Sequence, residues 1–176
     1  MIILPHDTYY ALNFSLSFVS GIFFLFLMWL FYTKFYGAEY YPASKKVVRK
    51  MIEFAKLEKK DAAYDLGCGD GRIVIEAAKK CRKAVGIEID MIRMLWAKLK
   101  SRKIKNVRIM HGNMFLQDIK DADVIFIFLR QKANDKLLEK FKKELKPGSM
   151  IVSHYWKMSL KPYAVDEKLR VYAYKL

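Results

Sequence analysis

The chain is poor in the residues that build metal centres and covalent staples. It has two cysteines, Cys68 and Cys81, and three histidines, His6, His111 and His154, with no metal-ligand spacing among them. A structural metal site and a disulfide framework are therefore not indicated, which suits a reducing compartment. Basic residues are missing from the start. Met1 to Thr33 holds no Lys or Arg and one acid, Asp7, so all 33 Lys and Arg lie in Lys34 to Leu176 beside 17 of the 18 acids. Internal repeats and low-complexity segments are absent. At 176 residues there is room for one domain after such a segment.

What is present is organised around one run, Asp65-Leu66-Gly67-Cys68-Gly69-Asp70-Gly71-Arg72. It follows a compact apolar stretch and precedes a helical one, Ile73 to Lys79, which reads as strand, tight turn, helix. Gly67, Gly69 and Gly71 remove the Cβ atoms that would hold a ligand off the main chain, and the backbone N–H groups are expected to face that ligand. A dinucleotide fingerprint, G-x-G-x-x-G, would need glycine where Arg72 stands. Instead a second apolar run, Ala84 to Ile89, carries Glu88 at its tip, where one carboxylate can accept from two ribose hydroxyls. The turn and the acid together resemble the class I S-adenosylmethionine-dependent methyltransferases.

From Thr8 to Thr33 no residue is charged, and the aromatics Tyr9, Tyr10, Trp29, Tyr32 and Tyr36 gather at the two ends. The pattern predicts a transmembrane helix over roughly residues 11–32. A cleaved signal peptide would need a basic start, which is lacking. Lys34, Lys45, Lys46, Arg49 and Lys50 follow the segment, so the body is expected in the cytoplasm as a single-pass membrane protein. The domain division is residues 1–36 for the N-terminal segment and 37–176 for a catalytic domain. The strongly basic body implies an anionic neighbour, lipid headgroups or nucleic acid, or else a solvated lysine-rich surface.

Tyr40-Tyr41-Pro42-Ala43-Ser44 leads into a helix with Ser44 as N-cap and Val47, Val48, Met51, Ile52 and Ala55 on one face. It is expected to bring Tyr40 and Tyr41 over the cofactor site, unless these tyrosines are interfacial anchors. Helix and strand then alternate, with strands over 84–89, 107–110, 124–128 and 150–153, and Asn134 as a helix cap. Near-continuous apolar strands between helices predict an α/β fold, a doubly wound, mostly parallel, Rossmann-like sheet. Leu169 to Tyr174 reads as a closing edge strand.

The resemblance implies the site. Asp65, Gly67, Gly69 and Asp70 surround the methionine portion of S-adenosyl-L-methionine, Glu88 holds its ribose, Ile87 and Ile89 flank the adenine, and Asn113 meets the adenine amino group. The acceptor side falls to Phe128-Leu129-Arg130 and Ser153-His154-Tyr155-Trp156, with His154, Tyr155 and Tyr40 as catalytic candidates. A lone histidine at a strand end is also commonly structural.

No Asn/Asp-Pro-Pro-Tyr/Phe follows the fourth strand, no cysteine lies beyond it, and there is neither a separate RNA-binding module nor a long insertion to roof a small-molecule pocket. These absences favour an open cleft and a macromolecular acceptor. Over roughly residues 40–176 the run Tyr40-Tyr-Pro-Ala-Ser, the glycine core, Gly86-Ile-Glu-Ile-Asp, and Leu145-Lys-Pro-Gly with Val152-Ser-His resemble a narrower family, the small protein-lysine methyltransferases. It includes an archaeal enzyme of broad specificity and mitochondrial enzymes acting on the ATP synthase c-subunit and the adenine nucleotide translocase. That resemblance implies a protein substrate methylated on lysine, with Tyr40, Tyr41, Tyr155 and Trp156 as an aromatic mouth. An RNA or DNA methyltransferase using the basic surface is the alternative.

Overall fold

The computed structural model describes residues 6–36 and 41–176, and the chain divides into two compact units, Met1–Glu39 and Tyr40–Leu176. In the first, α1 (His6–Tyr36) is predominantly apolar in sequence, with no distinct polar face. Its stretch Tyr10–Met28 has a mean hydropathy of 2.0 over 19 residues, with none of it buried, and is long and apolar enough to cross a membrane.

The second unit opens with α2 (Lys45–Ala55), whose five expected apolar positions are all buried. Ser44 caps it, its hydroxyl accepting from the Val47 N–H at 3.3 Å. There follow β1 (Ala62–Leu66), α3 (Arg72–Ala78), β2 (Lys83–Glu88), α4 (Met91–Ser101), β3 (Val107–His111), β4 (Val124–Ile127), α5 (Gln131–Glu144), β5 (Met150–His154), β6 (Ala164–Asp166) and β7 (Val171–Lys175). The sheet order is β3-β2-β1-β4-β5-β7-β6. Strands β1 to β5 pair in parallel, while β7 runs antiparallel to both β5 and β6.

Alternation along each strand sorts the core into two layers. Ala63, Ala84, Val124, Phe126 and Val152 pack against α2, α3 and α4. On the other face Tyr64, Val85, Ile87, Ile125 and Ile151 pack against Leu137, Leu138 and Phe141 of α5. The order reverses between β1 and β4, which opens a crevice at their carboxyl ends.

Two expectations are corrected. The run ending at Tyr174 does not close the sheet: β7 lies inside it, with Val171 to Tyr174 buried, and the edge is β6. β6 is three residues long and carries little apolar signal. Asn134 does not cap α5, which starts after Arg130; it is fully buried in the helix's first turn.

Gly86 lets the glycine turn fold back on β2. A Cβ there would meet Cys68 Sγ at 2.7 Å and Ile109 Cδ1 at 2.9 Å. Gly86→Ala is therefore expected to destabilise the fold by about 1–3 kcal/mol, the usual range for overpacking, read as a lower denaturation midpoint.

Candidate active site

The turn after β1 is anchored by its own N–H groups. Gly67 and Cys68 both donate to the Ile87 carbonyl, at 2.9 and 3.0 Å, and Gly71 donates to the Cys68 carbonyl at 2.9 Å. The Gly69 N–H donates to Glu88 Oε2 at 2.8 Å, and the Asp90 N–H donates to Glu88 Oε1 at 2.9 Å. This corrects the expectation that the turn offers its donors to a ligand. Folded back on β2, it has spent them within the protein. Gly67, Gly69 and Gly71 all take positive φ, 81°, 54° and 78°, and a Cβ on Gly67 would approach Leu129 Cδ2 to 3.0 Å.

Carboxylates take the place of donors here. Asp65 is buried, and its Oδ2 has no hydrogen-bond partner among the described residues. Burial first, and then the Glu88 and Asp70 charges, push its pKa up to about 8. Burial, and then the Asp65 and Glu88 carboxyl groups, raise the pKa of the Cys68 thiol, which stays protonated. Asp70 differs: Arg72 reaches both its oxygens at 2.9 Å and Lys100 Nζ lies 2.6 Å away. Burial opposes its ionisation, but these hydrogen bonds outweigh it and hold the pKa at about 2. Arg72 also donates to the Ala43 carbonyl at 2.6 Å, so Asp70 ties the turn to the approach of α2.

Of the adenine candidates, Ile87 belongs to the core and Ile89 is 55 % exposed, which leaves Ile89 alone at the rim. Asn113 is exposed beyond β3, with Oδ1 accepting from the Phe115 N–H at 3.0 Å. Tyr40 lies outside the described residues, and Tyr41 is 67 % exposed.

At the ends of β4 and β5 an aromatic cluster forms. Phe128 and His154 have ring centroids 4.3 Å apart, and Tyr155 and Trp156 meet edge-on at 5.2 Å. Ser153 and Asn134 pin this corner through the Trp156 carbonyl, at 2.6 and 3.3 Å. His154 Nδ1–H donates to the Arg170 carbonyl at 3.1 Å, which leaves the lone pair on Nε2. Burial lowers the His154 pKa, so the ring stays neutral below the usual range.

Arg170 was not legible as a site residue. It precedes β7, and because β7 is antiparallel to β5 it arrives at the same edge. Its guanidinium lies 4.5 Å from the Tyr155 ring centroid, and its carbonyl accepts from the Tyr155 N–H at 2.7 Å. Both residues hold left-handed backbones, φ 71° at Tyr155 and 50° at Arg170, a strain that gathers at functional sites.

An anion-binding dinucleotide turn needs free N–H groups. This turn has none to spare at Gly67, Cys68, Gly69 and Gly71, and sets buried carboxylates around bare glycine instead, which fits a ligand carrying an ammonium and a sulfonium. Such a site on such a sheet defines an S-adenosylmethionine-dependent methyltransferase. A family model for the ANTKMT methyltransferase domain matches residues 65–163, and the chain belongs to that family. A protein-lysine N-methyltransferase of Saccharolobus islandicus is 47 % identical over 120 residues, covering 65 % of this chain and 74 % of that protein. An ATP synthase c-subunit lysine N-methyltransferase of Caenorhabditis elegans is 33 % identical over 73 residues, 40 % of this chain and 38 % of that one. Among solved structures, an RNA methyltransferase from Salinibacter ruber in complex with S-adenosyl-L-homocysteine is 36 % identical with a TM-score of 0.73, covering 77 % of this chain and 93 % of its own.

Asp65 titrates near 3.8 when unfolded and near 8 when folded, so it lowers stability progressively as pH rises between those values and adds nothing below them. Asp65→Asn is expected to raise the unfolding temperature at pH 8 while leaving it unchanged at pH 3. It should weaken cofactor binding at least about tenfold, ~1.4 kcal/mol, by calorimetry.

Proposed function

We propose that the enzyme transfers a methyl group from S-adenosyl-L-methionine to the ε-amine of lysine in a protein. The observation that carries this reading is the cation-bearing aromatic corner Phe128, His154, Tyr155 and Trp156, set at the strand ends beside the carboxylate-lined turn. The lysine activities named for the two relatives support it.

When bound, the cofactor supplies an electrophilic methyl on sulfur. The protein's tasks are position and deprotonation. Asp65 would face the cofactor's ammonium, and Glu88 would accept from the ribose while holding Gly69. Gly67 and Gly69 admit the methionine portion, with Asp70 acting through the turn it braces. Ile89, Asn113 and Phe128 would border the adenine and sulfonium; Tyr40, the remaining candidate, lies outside the described residues.

Free lysine loses its proton near pH 10.4. The apolar corner strips water from the ammonium, and the Arg170 charge across Tyr155 disfavours a second cation there; both effects lower the lysine pKa. His154 Nε2 then accepts the proton or orients the amine. Tyr155→Ala is expected to cut turnover on lysine-containing protein at least about tenfold, ~1.4 kcal/mol, with cofactor affinity within twofold. Arg170→Gln should move the rising limb of the kcat/KM–pH profile upward, since the repelling charge is gone.

In the same reading residues 1–36 anchor the enzyme through α1 and residues 37–176 form the catalytic domain. The basic flank from Lys34 to Lys50 holds that domain on the cytoplasmic side. The protein is expected to resist alkaline carbonate extraction and to be digested by protease added from the cytoplasmic face. Its substrate is then a membrane protein or a neighbour of one, because encounter is confined to a surface.

The Salinibacter likeness and the net charge of +15 favour a second reading, methylation of RNA. Labelled cofactor added to membrane and soluble extracts separates the two. Label lost to protease and resistant to nuclease supports lysine, and the reverse pattern overturns it.

A further inference from the structure

α4 is apolar on the wrong side for a helix that only covers a sheet. Its buried residues are Met94, Ala97 and Ser101. Ile92, Leu95, Trp96 and Leu99 lie on the opposite side in a stripe spanning roughly 100° of the helix, by the 3.6-residue repeat. Each is between 49 and 55 % exposed, and Met91 and Ile89 extend the stripe toward the site at 58 and 55 %. Isolated exposed apolar residues need no explanation, but a continuous stripe with no partner marks an interaction surface.

The charges around it name the partner. Between Asp90 and Asp118 the chain has seven Lys and Arg and no Asp or Glu. Lys98 and Arg102 flank the stripe on one side, Arg93 and Lys100 on the other, and Lys103 lies past its end. Lys100 is turned inward to Asp70 at 2.6 Å, while Lys98, Arg102 and Lys103 are exposed.

We propose that α4 lies in the interface of an anionic bilayer, with Ile92, Leu95, Trp96 and Leu99 at the acyl boundary and Lys98, Arg102 and Lys103 at phosphate level. An apolar ridge with cations along its sides and an indole in its middle suits a fluid medium that closes round it. A protein partner would need a groove with acidic rails on both lips. α4 starts three residues after Glu88, so this contact brings the cofactor turn close to the lipid surface. The inference rests on the domain's own surface and does not depend on α1 or on the identity of the methyl acceptor.

The test uses the full chain reconstituted in vesicles, so that the position of α4 is read rather than bulk attachment. Cys68 and Cys81 are buried, so a cysteine at Leu95→Cys can be labelled selectively with a polarity-sensitive fluorophore. In equimolar phosphatidylcholine and phosphatidylglycerol the label is expected to shift to the blue. Lipids brominated below the headgroup should quench it at least twofold more than the same label at Glu139→Cys on α5. The effect should fall in high salt, and in Lys98→Glu/Arg102→Glu, which should retain cofactor binding as evidence of folding. A label as accessible to water as the one at Glu139→Cys overturns the proposal. So does shielding that grows with protein concentration in phosphatidylcholine alone, which indicates a second copy. Shielding that appears only on adding a substrate protein or RNA also overturns it.

Discussion

The bond from the Gly69 N–H to the Glu88 carboxylate joins the glycine turn to the tip of β2, the two halves of the candidate cofactor site. Without it the glycine turn keeps its bonds to the Ile87 carbonyl and the tie from Asp70 to Arg72 and Lys100. With it Gly69, in the middle of the turn, is fixed to the acid that closes β2, and Glu88 Oε1 is fixed in turn by the Asp90 N–H. An ionised carboxylate has about four acceptor positions, so two backbone donors orient Glu88 without exhausting it. The residue that sets the turn's shape thus keeps acceptor capacity for two further donors. Gly86 contributes by lacking a side chain, since Cys68 sits in the space a Cβ would fill.

The electrostatics divide the molecule. A chain with a net charge of +15 buries a cluster of carboxyl groups at the end of β1 and β2. Asp70 is neutralised by Arg72 and Lys100, whereas Asp65 is left among acids and resists ionisation. That arrangement is unfavourable for the protein alone and favourable once a cation shares the site. The aromatic corner proposed for the acceptor is the opposite case: an apolar cluster with a guanidinium already against it, which disfavours a further positive charge.

Much of this was legible in the sequence because local chemistry dictated it. The glycine run, the acid two residues before Asp90 and the apolar periodicity of α2 each required one local structure, and the parallel core followed from them. The failures have physical causes. Whether a turn's N–H groups face a ligand or the protein depends on how the turn folds over β2, a tertiary fact. Asn134 looks like a cap in isolation and becomes a buried pin for the Trp156 carbonyl only when α5 meets β5. Arg170 had no local signal at all. Its role comes from the antiparallel return of β7, and β6, the strand that makes β7 internal, is too short to announce itself.

That return has a consequence for how the enzyme comes into being. The parallel strands and the donor-binding turn belong to earlier synthesis, and β7 follows them all off the ribosome. Until it arrives, β5 presents an open row of peptide groups, and the Tyr155 backbone has no carbonyl to hold its left-handed bend. The parallel strands and the turn after β1 thus precede β7 in the chain, and the backbone support of the Tyr155 bend is the last of these features to form during synthesis.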